Sequence, residues 1–166
     1  LEKAAAKITN AISTGKGLNG VTKAFESNFG KGSGTAANMT KVAGDMSSMA
    51  SALRDTSANA IPANAMTSQQ LSAAYPGIGA GTLAGVPTSG PTQVIVNVSH
   101  PGFNSQSTLS WGLGHETGHA VLGYKDQVFN GFKAYKFGGP DEQNSFQNLP
   151  STQRLTNPDH LMDFAQ

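Results

Sequence analysis

The sequence predicts an α+β fold, mainly helical with one small sheet. Apolar residues recur at helical spacing through the first third of the chain, and a second helical pattern surrounds His115 and His119. Between them a β-branched run, Gln93-Val94-Ile95-Val96-Asn97-Val98, stands alone as the clearest strand. With 166 residues the chain can bury a core without covalent staples, and with Cys 0 it has none. The organisation expected is a helical region over 1–60 and a core over 61–166 that carries the chemistry, packed as a single unit.

Residues 2–14 are Ala-rich with Ile8 and Ile12 on one side, and Gly15-Lys16-Gly17 stops them. Residues 18–29 place Leu18, Val21, Phe25 and Phe29 at helical spacing ahead of Gly30. Met39, Val42, Met46, Met49 and Leu53 then alternate steps of three and four, which makes one apolar stripe. A helix packed on its own domain explains the stripe better than a partner groove, because Met fills irregular core space well. From Ile61 to Gly90 the turn formers Tyr75-Pro76-Gly77, Gly79-Ala80-Gly81 and Ser89-Gly90-Pro91 predict irregular structure, with a short helix near Ser68–Ala74. The strand at 93–98 does not fully alternate, which fits cover on both faces, and if it lies at a sheet edge an extended peptide could pair with it. Asn38-Met39-Thr40 and Asn97-Val98-Ser99 fit the glycosylation pattern, a chance match in a chain rich in Asn, Ser and Thr.

Composition excludes several classes. Lys+Arg 11 against Asp+Glu 10, with the basic residues scattered, offers no track for a nucleic-acid backbone. The absence of Cys removes thiol nucleophiles and Cys-rich zinc knuckles. Leu1–Ala6 is no basic leader, and no apolar run reaches the length a bilayer crossing needs, so no membrane insertion is expected. A chain that starts at Leu1 suggests a processed product or a piece of a larger carrier. Its sparse charge, 13% of residues, is the composition of an exported protein.

A helix from Ser105–Thr108 to about Leu122 carries His115-Glu116-Thr117-Gly118-His119. Positions i and i+4 lie one turn apart on one face, about 6 Å along the axis. Two imidazoles at that spacing can converge on one zinc ion. Glu116 is rotated by about 100° from His115. It therefore misses the metal and can serve as general base toward a water beside it. Leu109, Leu113 and Ala120 share the opposite side and are expected to anchor the helix in the core. Three glycines, Gly112, Gly114 and Gly118, each cost about 1 kcal/mol against Ala in a helix, which points to close approach of backbone or substrate.

The segment His115–Asp126 resembles the active-site segment of metzincin-type zinc peptidases, in particular the secreted bacterial snapalysin kind, where Asp replaces the usual third His. Leu161-Met162-Asp163 resembles that family's Met-turn. The resemblance implies a zincin-like fold with an active-site helix ending near Gly123. It implies a peptidase with zinc as cofactor, Glu116 as catalytic residue, and His115, His119 and Asp126 as ligands. The chain departs from the family pattern by one residue inserted between His119 and Gly123, although the step from Gly123 to Asp126 is kept. His160 and Glu142 stand as alternatives for the third ligand, with Asp159 and Asp163 behind them. Tyr124 and Tyr135 are candidate donors to an oxyanion, and His100 is a candidate for the cleft rim. The resemblance further implies a peptide or protein substrate, secretion or delivery by a bacterial secretion system, and use as a toxin effector with a cognate immunity protein. A zinc amidase acting on peptidoglycan, and a non-catalytic metal-containing adaptor, are the rival readings.

Overall fold

The computed structural model describes all 166 residues, in the order α1 (Glu2–Thr14), α2 (Leu18–Phe29), α3 (Ala36–Arg54), β1 (Ala63–Met66), α4 (Ser68–Ala74), β2 (Ala84–Gly85), β3 (Val94–Asn97), a 3-10 turn (Pro101–Asn104), α5 (Gln106–Leu122), β4 (Val128–Phe129), β5 (Phe132–Lys133), α6 (Pro140–Asn148), α7 (Ser151–Arg154) and α8 (Pro158–Phe164). The fold is mainly helical with small sheets, and no helix is long and apolar enough to cross a membrane. Two compact units form. The first joins Leu1–Ala50 to Tyr124–Gln166, and the second is Ser51–Gly123.

In the first unit the helical spacing of α1 and α2 buries Ala5, Ile8 and Ala11 on one and Val21, Phe25 and Phe29 on the other. Phe25 and Phe29 stack at 4.5 Å between ring centres, and Phe164 of α8 lies 5.5 and 5.4 Å from them. Aromatic pairs in such tilted and edge arrangements add about 0.5–1.5 kcal/mol each beyond the area they bury. On α3, Met39, Val42, Met46 and Met49 are buried as the stripe requires. Leu53 is not: at 48% exposure it lies beyond the packed part of the helix, in its last turn. Asn28 of α2 donates to the His160 carbonyl, 2.8 Å, and so ties α2 to α8.

Gly30 ends α2 with φ 98 and ψ 153, a conformation open in practice only to glycine, and a Cβ there would overlap the Ser151 hydroxyl. The backbone strain alone is worth about 1–3 kcal/mol and overpacking adds about 1–3. Gly30→Ala is therefore expected to destabilise the protein by roughly 2–6 kcal/mol, read as a lower urea midpoint at unchanged m-value.

In the second unit β3 is the central strand of a three-stranded sheet ordered β1-β3-β2. β1 pairs with it in parallel, Ala63↔Val94 to Met66↔Asn97, and β2 antiparallel, Ala84↔Val96 and Gly85↔Ile95. All four residues of β3 are buried. Both of its edges are taken by other strands, so the free edge that peptide pairing along 93–98 requires is not there. This pairing also gives the 61–90 stretch two strands, β1 and β2, that turn chemistry does not suggest, while the short helix expected near Ser68–Ala74 forms as α4 with a Thr67–Gln70 capping box. β1 and β2 are too short to be read from their own sequences, and they exist because β3 offers them partners.

Candidate metal centre

Local sequence fixes where α5 begins and ends. The Ser105 hydroxyl accepts from Thr108 N at the N-cap, and Gly123 (φ 66) takes the left-handed conformation that stops the helix, its N–H donating to His119 O. The helix therefore ends four residues after His119, so His115 and His119 both lie within regular turns. Thr117 bonds back to Leu113 O at 2.7 Å, which satisfies its hydroxyl inside the helix.

Burial on α5 does not follow the Leu109/Leu113/Ala120 side, whose residues are half-buried. It runs instead through five consecutive positions, Gly114, His115, Glu116, Thr117 and Gly118. The turn that carries the polar groups is thus the enclosed one, and the expected division into a core face and a ligand face is corrected. Placing two imidazoles and a carboxylate there is unfavourable unless each is matched by a partner or an ion.

His115 Nε2 and His119 Nε2 face each other at 2.9 Å, with ring centres 4.7 Å apart and planes at 74°. Glu116 Oε1 lies 4.0 Å from His115 Nε2, and one potential ligand atom from each of the three residues falls within 4.8 Å of the others. Two imidazole nitrogens sharing a tetrahedral zinc at about 2.0–2.1 Å are about 3.3 Å apart. The observed pair is closer by a few tenths of an ångström, which small ring rotations cover. The converging Nε2 atoms and the adjacent carboxylate fit a divalent cation, because lone pairs aimed at one point repel unless a proton or a cation lies between them.

The other sequence candidates, His100 apart, belong to the first unit. Asp126 Oδ2 accepts from the Tyr135 hydroxyl at 2.6 Å and from Lys133 Nζ at 2.9 Å. The Tyr124 hydroxyl donates to Asp45 Oδ2 at 2.7 Å, and Lys41 binds both groups. Glu142 Oε2 accepts from Gly139 N at 2.8 Å and caps α6. His160, 1% exposed, stacks on Phe146 at 3.9 Å, and its Nδ1 receives the Asn157 amide at 3.0 Å. Asp159 Oδ2 accepts from Lys136 N at 2.6 Å, and Asp163 pairs with the Lys136 ammonium. Met162 is buried within α8, so the segment that resembles a Met-turn is helical here. In the second unit His100 caps the 3-10 turn by accepting from Gly102 N through Nδ1, 2.9 Å.

Two residues of the second unit escaped the sequence reading. Asn97, fully buried, donates to Ala80 O and Thr82 O and accepts from Ser99 N, so its role as a loop anchor also rules it out as a glycan acceptor in the folded chain. An amide ending an apolar strand was the available signal. Leu83 packs against Gly112 of α5, and there the only hint was a glycine inside a helix. Comparison with protein-family models, curated proteins and solved structures finds no match to this chain. The functional reading therefore stands on the residues and their geometry.

Proposed function

We propose that this chain is a zinc-dependent hydrolase of peptide bonds, with His115 and His119 holding the ion and Glu116 as general base. The supporting observation is the convergence of the two Nε2 atoms at 2.9 Å beside a buried carboxylate on one helical turn. A zinc ion bound there supplies a Lewis acid and brings the pKa of a water to about 7. His115 and His119 act as neutral imidazoles, each offering one nitrogen. Glu116 takes the proton of the attacking water on its carboxylate, and the same carboxylate returns that proton to the departing amine. No covalent bond to the protein forms at any stage. Asp126, three residues past the helix stop at Gly123, is proposed as the third ligand on the sequence argument.

Zinc titration of the purified chain tests the site. One equivalent is expected to bind, and His119→Ala is expected to weaken binding by more than the roughly 10–100-fold that an outer hydrogen-bond partner of a ligand carries. Asp126→Ala is expected to raise the dissociation constant as well. Chelation should abolish cleavage of unstructured peptides and zinc should restore it. Turnover of purified cell wall but not of linear peptides would favour the amidase reading, and zinc binding without any turnover would favour the adaptor. A chain that takes up no zinc defeats the proposal.

A further inference from the structure

We propose that Leu83 is the side chain that selects substrate at this centre, favouring an aliphatic or aromatic residue next to the scissile amide. The inference rests on the hydrolase reading above. On α5, Gly112 lies within about 60° of His115, Glu116 and His119 around the helix axis, one to two turns toward the N-terminus. It is therefore the position on the ligand face where a side chain is missing. Helical side chains lean toward the N-terminus and cover the preceding turn. The Glu116 side chain is thus directed back over the turn that starts at Gly112. Leu83 closes the other side of that space: a Cβ at Gly112 would sit 3.1 Å from Leu83 Cδ2 and 3.7 Å from Leu83 Cγ.

Leu83 is half-buried, so part of its apolar surface stays open to solvent while the rest packs on Gly112. Its backbone is held from three directions. Leu83 O accepts from Asn97 N at 2.8 Å, the Asn97 amide binds the carbonyls of Ala80 and Thr82 at 2.9 and 3.1 Å, and Ala84 and Gly85 pair with Val96 and Ile95. A side chain held in this way at the start of a paired strand can discriminate between substrates, whereas one on a mobile loop would adapt to each of them. Residues 76–92, the stretch of chain around it, contain no charged side chain. The surface that Leu83 itself offers is aliphatic and attracts apolar side chains.

The test is the cut-site profile of the zinc-loaded wild type and of Leu83→Lys on denatured protein, read by mass spectrometry. The wild type should cut beside aliphatic or aromatic residues. Leu83→Lys should lose about 10- to 100-fold in kcat/KM for those sites and gain cuts beside Asp and Glu. Leu83→Ala, a milder change, should flatten the preference, and zinc affinity should stay at the wild-type value in both variants. In the non-cleaving Glu116→Gln background, binding of a Leu-containing over a Ser-containing peptide, followed by fluorescence anisotropy, should show the same loss. An unchanged profile and unchanged peptide binding in Leu83→Lys overturn this inference and leave the hydrolase reading intact. A wild type that binds zinc but cuts and binds no peptide overturns both.

Discussion

Glu116→Gln is expected to leave zinc bound and to lower kcat by about 10²–10⁴-fold, the range that a positioned general base supplies. Gln keeps the shape and hydrogen-bonding capacity of the side chain but cannot accept a proton at neutral pH. The two ligand imidazoles are untouched, since Glu116 Oε1 lies 4.0 Å from His115 Nε2 and need not be a ligand. Loss in kcat with KM nearly unchanged is the signature of an interaction made in the transition state. Glu116→Ala should show the same loss in rate and in addition a lower melting temperature, because it leaves a void in a buried turn. Steady-state kinetics on a fluorogenic peptide, with the zinc content of each preparation measured in parallel, decides the matter. Turnover within threefold of wild type in zinc-loaded Glu116→Gln would remove the proton-transfer role.

The helices were legible because periodicity and stop signals are local. Val21, Phe25 and Phe29 repeat at helical spacing and Gly30 follows them, and α2 closes at that glycine. The His pair was legible for the same reason, since the geometry of i and i+4 on a helix does not depend on what surrounds it. β1 and β2 were not, because four- and two-residue strands carry no period of their own and form only against β3. The burial of Gly114–Gly118 was hidden as well. A helix enclosed over a whole turn shows no amphipathic contrast there, so the Leu109/Leu113 stripe suggested a core face that α5 does not have. Asn97 and Leu83 matter through contacts with residues 15 and 29 positions away, a separation that no local pattern records.

Acid should destabilise the first unit through His160 well before its carboxylates are fully protonated. Burial pushes the His160 imidazole down to about 3, with the Arg154 charge adding to the shift. The packing agrees: the ring is 1% exposed and stacked on Phe146, the Asn157 amide holds Nδ1, and Nε2 has no hydrogen-bond partner. An unfolded chain binds a proton at this histidine below about pH 6.5, whereas the folded chain does not until pH approaches 3. Because the unfolded state holds more protons throughout that window, stability is intact above it and falls with pH inside it, by about 1.4 kcal/mol per unit. Between pH 7 and pH 4.5 the loss is on the order of 2–3 kcal/mol, equivalent to roughly 5–10 °C in melting temperature for a chain of this size. His160→Asn keeps an acceptor near the Nδ1 position for Asn157 but cannot be protonated. It should be less stable than wild type at pH 7, because the stack on Phe146 is lost, yet nearly flat from pH 6.5 to 5, where the remaining slope belongs to other groups. Urea denaturation of both proteins at several pH values gives the difference in slope directly. Parallel slopes in the two proteins would mean that the folded chain accommodates a charged His160, and the buried ring would then have to be reached by water or by a compensating carboxylate.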